Sequence, residues 1–220
     1  MMTRISFVLA LGLLPLSWGL AAEPDTAETK PPATEKWISL TPEAAKLAPW
    51  EITPYGGEGE IRVGEGLIHL ADGATLTGIR LTQDFPKTNY ELRYEAQRLM
   101  GVDFFGGVTF PYGDTYCNFI PAGWGGAVVG LSTIDGRDAS ENETTKYMTF
   151  KDGQWYRFKL RVTPEKIMAW VDDELAIDLK TEGKKIAPRA DIDPATPLGF
   201  YTWQSTAKLR KIEYREILED

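Results

Sequence analysis

The chain has 220 residues and a formal net charge of -8 at pH 7. That balance makes it a poor candidate for binding a nucleic-acid backbone or an anionic lipid surface, which demand clustered Lys and Arg. A single cysteine and a single histidine exclude an intramolecular disulfide, a zinc site of Cys/His spacing, and any Ser-His-Asp triad that does not use His69.

Residues 1–22 read as a secretory leader. Arg4 opens it, and the run "ISFVLALGLLPLSWGL" is too short and too interrupted by Pro and Gly to span a bilayer comfortably. Gly19, Ala21 and Ala22 supply small residues for cleavage. No later run is apolar enough to cross a membrane, so the expected protein is secreted, periplasmic or extracellular, without membrane insertion. Residues 23–36, "EPDTAETKPPATEK", read as a flexible tether. The stretch "TPEAAKLAPW" predicts one short helix, with Thr41 as N-cap, Pro42 at the first helical position and Pro49 as terminator. Residues 37–220 then make one domain, long enough to build a core without disulfides.

From Trp50 onward the pattern is β. "NYELRYEAQRL" alternates Tyr90, Leu92, Tyr94 and Ala96 with Glu91, Arg93, Glu95 and Gln97. "WYRFKLRV" alternates Tyr156, Phe158, Leu160 and Val162 with Arg157, Lys159 and Arg161. A period of two places one face on a core and the other toward water or a cleft. "KIMAWVDDELAID" reads as a hairpin turning at Asp172 and Asp173, and "PLGFYTW" and "LRKIEYREI" as two further strands. Further candidates at 59–63, 66–70, 76–82, 104–110, 115–120 and 127–132 bring the total to about a dozen. Strands recurring at this spacing without helices predict an all-β antiparallel sandwich or barrel. Within that pattern Cys117 is expected as a buried apolar residue and His69 as an ordinary strand histidine.

The order of these elements resembles the concanavalin A-like jelly roll, and more closely the 3-keto-disaccharide hydrolase domain family. The resemblance is carried by "WEITPYGGEGEIRVGEGLIHLADGATLTGIRLTQDFPKTNYELRYEAQRL", "GQWYRFKLRVTPEKIMAWVDDELAIDLKTEG" and "PLGFYTWQSTAKLRKIEYREI". It implies a jelly-roll β-sandwich acting on a carbohydrate ligand. The middle segments "FFGGVTFPYG" and "DTYCNFIPAG" lack the Arg, Glu and Asp that family members commonly carry there, so candidate catalytic residues are read from this chain itself.

Glucanases of the concanavalin A-like class pair two carboxylates at E-x-D-x-x-E or E-x-D-x-E, about 5 Å apart in retaining enzymes. The literal match here is Glu23, Asp25 and Glu28, inside the tether, where no catalytic geometry can be held. Asp103 in "GVDFFGG" stands before an aromatic, glycine-rich strand; burial there would suit a general acid or base, whereas a plain turn carboxylate is the alternative. Trp124 in "GWGG" has glycine on both sides, as suits either an indole open for sugar stacking or a tight loop closing the sandwich edge. Trp203 in "FYTWQST" is a second candidate stacking residue, and Trp155 and Trp170 are expected in the core.

The loop "STIDGRDASENETT" carries Asp135, Arg137, Asp138, Glu141, Asn142 and Glu143. Its spacing is not that of an EF-hand, and Asp135-Gly136 reads as turn chemistry, so calcium is an open possibility and no cofactor is required. "NET" at Asn142 is also a glycosylation acceptor pattern. Asp103, Asp138 and Glu141 are thus the candidate acid/base set, and Trp124, Trp203, Asp135, Arg137 and Asn142 the candidate sugar contacts. Three readings stand: a glycoside hydrolase-like domain acting on (3-keto-)glycosides, a non-catalytic lectin-like module, and a surface interaction module without a sugar. The sequence sets no oligomeric state.

Overall fold

A computed structural model describes residues 36–43 and 45–217. The leader and the tether, except Lys36, lie outside the described residues. The strands are β1 (Ile38–Ser39), β2 (Trp50–Ile52), β3 (Ile61–Gly64), β4 (Leu67–Leu70) and β5 (Leu76–Leu81). They continue as β6 (Tyr90–Gly101), β7 (Gly107–Tyr112), β8 (Thr115–Ala122), β9 (Val128–Ser132) and β10 (Lys146–Tyr147). The last five are β11 (Trp155–Val162), β12 (Lys166–Val171), β13 (Glu174–Lys180), β14 (Gly199–Trp203) and β15 (Ser205–Glu216).

Two antiparallel sheets face each other. One runs β13-β12-β11-β6-β15-β4-β3, with β1 also paired to β15; the other runs β10-β9-β8-β7-β14-β5-β2. Between them lies the core that the alternation predicts: Tyr94, Phe158 and Leu160 from the first sheet meet Phe110, Phe119 and Phe200 from the second. Tyr94 stacks on Phe158 at 5.2 Å and meets Phe200 edge-on at 4.7 Å, and its buried hydroxyl donates to the Gly106 carbonyl at 2.7 Å. Cys117 is fully buried, and burial pushes its thiol up to about 12.

Two expectations are corrected. The described residues of 41–49 form turns, not a helix. Thr41 cannot cap, because its hydroxyl accepts the Ile212 N–H at 2.8 Å, and the Trp50 indole N–H binds the Leu40 carbonyl at 2.7 Å. The chain must leave β15 in one sheet and reach β5 in the other, so pairing at both ends overrides local helix propensity. Trp155 and Trp170 are not in the core. They share the outer face with Arg157 and Lys159, with Arg210 over the Trp155 ring at 3.9 Å and Lys159 over Trp170 at 4.0 Å.

The outer face of the second sheet is covered. Tyr201, Ile120, Leu76 and Val128 form a separate apolar layer there with Ala139, Ile192 and Ala195. Ala139 belongs to the 133–145 loop, Ile192 and Ala195 to the 181–198 connection. Both segments press onto the sheet where side chains are absent. A Cβ on Gly130 would lie 2.9 Å from Ala139 and one on Gly199 2.7 Å from the Ala195 Cβ; within the sheet, one on Gly107 would lie 2.5 Å from the ring of its β14 neighbour Tyr201. Thr109 and Asn118, paired at 2.7 Å, lie fully buried on this same face.

Candidate functional site

Where the two covering segments meet the end of the sheet, they leave a cleft of ≈ 200 Å³ lined by Asp103, Phe104, Ile120, Trp124, Asp138, Arg189, Asp191 and Trp203. Four residues chosen from sequence, Asp103, Trp124, Asp138 and Trp203, therefore share one concave surface.

Asp103 follows β6, and its backbone is held on three sides. The Ser205 hydroxyl accepts its N–H at 3.2 Å and donates to its carbonyl at 2.9 Å, and the mostly buried Arg98 guanidinium reaches the same carbonyl at 3.4 Å. The carboxylate is half-buried, not sealed in apolar surroundings. One oxygen accepts the Phe104 N–H at 2.8 Å, the other the Gly125 N–H at 3.0 Å. A carboxylate offers about four acceptor positions, so lone pairs remain on both oxygens.

That bond to Gly125 also shapes the turn carrying Trp124. Ala122, Trp124, Gly125 and Gly126 all have positive φ, from 51° at Trp124 to 100° at Gly126. A left-handed tryptophan is costly, on the order of 1–3 kcal/mol, and persists only when its surroundings enforce it. The result is an indole 43% exposed at the lip of the cleft. Trp203 lines the other side, its ring 6.4 Å from Phe104.

Arg189 ties the walls together. It pairs with Asp138 at 2.9 Å and bidentately with Asp191 at 3.0 and 3.1 Å, and lies 5.6 Å from the Trp124 ring. Its backbone N–H donates to Asn118 at 2.7 Å, anchoring the connection to the sheet. Burial works against the guanidinium charge, but pairing with Asp191 and then Asp138 outweighs it and holds Arg189 above the ordinary arginine range. Asp103, by contrast, has no ion pair among the described residues.

The rest of the acidic loop does not reach the cleft. Asp135 and Gly136, at φ 53° and 76°, form the two-residue turn closed by Ile134 and Arg137. The Asp135 carboxylate accepts the Lys185 N–H at 2.9 Å and pairs with Lys184 at 3.4 Å; these contacts hold it below the usual carboxylate range. Arg137 and Glu141 are exposed and line no part of the cleft. Asn142 is structural: its Nδ2 donates to the carbonyls of Leu131, Arg137 and Asp138, and its Oδ1 accepts from Thr144. Among the described residues no group of three His, Cys, Asp or Glu could hold a metal ion. Asp135 and Glu143 are met by Lys184, and Asp138 by Arg189.

Arg189 and Asp191 were not among the candidates read from sequence. Their signal is the 181–198 connection, long for one without a strand of its own, a class of loop that often carries function.

A family model described as the 3-keto-alpha-glucoside-1,2-lyase-like domain matches residues 36–217. The chain belongs to this family. No curated protein matches it. Among solved structures, this 3-keto-alpha-glucoside-1,2-lyase-like domain shares its fold with the carbohydrate binding module CBM66 from Bacillus subtilis, at a TM-score of 0.52 and 12% identity, covering 76% of this chain and 96% of that one. The apo Crh5 transglycosylase aligns at a TM-score of 0.56 and 14% identity, over 84% of each chain. Domain 4 of AbnA, a GH43 extracellular arabinanase from Geobacillus stearothermophilus solved with arabinotriose, aligns at 0.50 and 13% identity, covering 76% and 82%. No helix among the described residues is long and apolar enough to cross a membrane.

Proposed function

We propose that the cleft binds a glycosyl unit and that the protein cleaves 3-keto-glycosides, with Asp103 as the proton-transfer residue. The observation that carries this reading is the convergence of Asp103, Trp124, Asp138 and Trp203 with Arg189 on one small concave surface. An indole at a lip suits the C–H face of a pyranose, and carboxylates beside an arginine suit vicinal hydroxyls.

The family description names a 1,2-elimination from a 3-keto-glucoside. A ketone at C3 acidifies the C2 proton. A base removes that proton, the C–H electrons form the C1–C2 double bond, and the C1–O bond breaks toward the aglycone oxygen. That oxygen then needs one proton, so a single carboxyl group that takes the C2 proton and returns it to the departing oxygen balances the step. Asp103 is the cleft carboxylate suited to this, because Asp138 and Asp191 are both committed to Arg189.

The test is turnover of a 3-keto-glucoside panel by wild type and Asp103→Asn. Loss of a proton-transfer group lowers the rate by about 10²–10⁴-fold, with glycoside binding and melting temperature nearly unchanged. A wild type inactive across the panel removes the catalytic reading. The second reading, a lectin-like module, is favoured by the backbone N–H bonds on both Asp103 oxygens. It expects Trp124-dependent retention of glycans with no new reducing ends over time. The proposal includes export, on the reading of residues 1–22 as a leader; N-terminal sequencing of exported protein checks that.

A further inference from the structure

The cleft, at ≈ 200 Å³, is smaller than the roughly 300–1,000 Å³ of pockets that enclose drug-sized ligands. It has room for one sugar ring, so the remainder of any glycoside lies outside it. Just before Asp103 in the chain stand two exposed apolar residues. Met100 and Val102 are 63% and 62% exposed and, with Trp124, make up three of the seven large hydrophobic side chains exposed among the described residues.

Val102 is fixed at this lip from both sides. Its N–H donates to the Gln204 carbonyl at 3.2 Å, next to Trp203, and its own carbonyl lies 3.1 Å from where a Gly126 Cβ would stand, two residues past Trp124. The following residue, Asp103, holds the Trp124 turn through Gly125. The backbone from Met100 to Asp103 thus bridges the segments carrying the two cleft tryptophans. Met100, Val102 and Trp124 together offer too little surface for a stable protein interface, which takes about 800 Å² from each partner. They match the face of one aromatic or alkyl group.

Resting on the carbohydrate reading above, we propose that Met100 and Val102 form an aglycone subsite, selecting glycosides whose leaving group is apolar over those whose leaving group is another sugar. The sugar ring enters between Trp124 and Trp203, and the aglycone lies across Val102 and Met100. No residue of the cleft itself is involved, so the subsite can be altered without touching it.

The experiment is calorimetric titration of phenyl and methyl glucosides, both anomers, in ordinary and 3-keto forms, against wild type and the double variant Met100→Ser, Val102→Ser. Wild type is expected to bind the preferred phenyl glucoside about tenfold more tightly than its methyl counterpart, the ratio for roughly 50 Å² of apolar surface removed from water. The double variant brings that ratio to about one while leaving methyl glucoside affinity within about twofold. Both positions are exposed, so folding is checked simply by an unchanged melting temperature. Equal affinities in wild type, or a preference that survives in the double variant, overturn the subsite alone. Concentration-dependent dimerisation that the double variant abolishes, with equal glucoside affinities, assigns the patch to a protein contact and also overturns it. Failure of wild type to bind any glucoside overturns the carbohydrate reading, and the subsite with it.

Discussion

Asn142 commits its whole amide to the protein: three carbonyls accept from its nitrogen, and the Thr144 backbone and hydroxyl donate to its oxygen. Asn142→Ala would strand several of these groups and lower stability by about 2–3 kcal/mol, read from urea denaturation, without removing a cleft contact. His69 gives a pH-dependent counterpart. Burial first, then Lys208 and Arg62, hold its imidazole below the ordinary 6.5, and its Nδ1 has no hydrogen-bond partner. The unfolded chain therefore takes up this proton more readily than the folded one. The stability His69 contributes is complete above about pH 6.5 and is lost as the pH falls through the lower folded value. His69→Gln should flatten the stability profile between about pH 5 and 7; an unaltered profile would refute the assignment. At this scale the sequence marked Asp103, Trp124 and Trp203, because glycine neighbours and strand ends show where side chains can face a cavity. It named Asp138 only together with the rest of the acidic loop, whose pairing with Arg189 of a distant segment has no local signal.

The Ala122–Gly126 turn is the element that makes the lip, and its strain predicts a trade. Trp124→Gly relieves a left-handed tryptophan, so stability should fall by less than about 1 kcal/mol or rise, while glycoside binding is lost. A large destabilisation would mean that the indole serves packing. β6 and β11 were legible from alternation, whereas the longer strands of the second sheet, buried on both faces, carry none and were legible only from the turn residues between them. β1, β2 and β10 were not, because strands of two or three residues carry no period and exist only through their neighbours. The helix at 41–49 failed for the opposite reason: its local signals were good, and the crossing between sheets overrode them. Trp155 was readable after all. It has the parity of Arg157 and Lys159, so alternation places it on the outer face, where cations stack on the indoles. The 181–198 connection had no period to read, and its Arg189 gains meaning only beside Asp138.

At the scale of the molecule, two segments lie over one face of a sandwich, and Arg189 joins them. Arg189→Met keeps the apolar stem but severs the links to Asp138 and Asp191, at a cost of about 1 kcal/mol for a partly exposed pair. Amide hydrogen exchange should quicken in 133–145 and 187–198 and leave the core strands unchanged. The two close approaches beneath these covers have a wider meaning. Gly130 and Gly199 stay bare because the covering segments already fill the space a side chain would take. A relative with a branched or aromatic residue at the matching positions could not seat the same covers, and Thr109 and Asn118 would floor an open trough instead of lying sealed. Such a trough admits a polymer along its length, whereas the closed form meets a chain only at its end. Two bare positions, checked against a structure of one such relative, would then tell end-on from lengthwise binders across the family before any substrate is known.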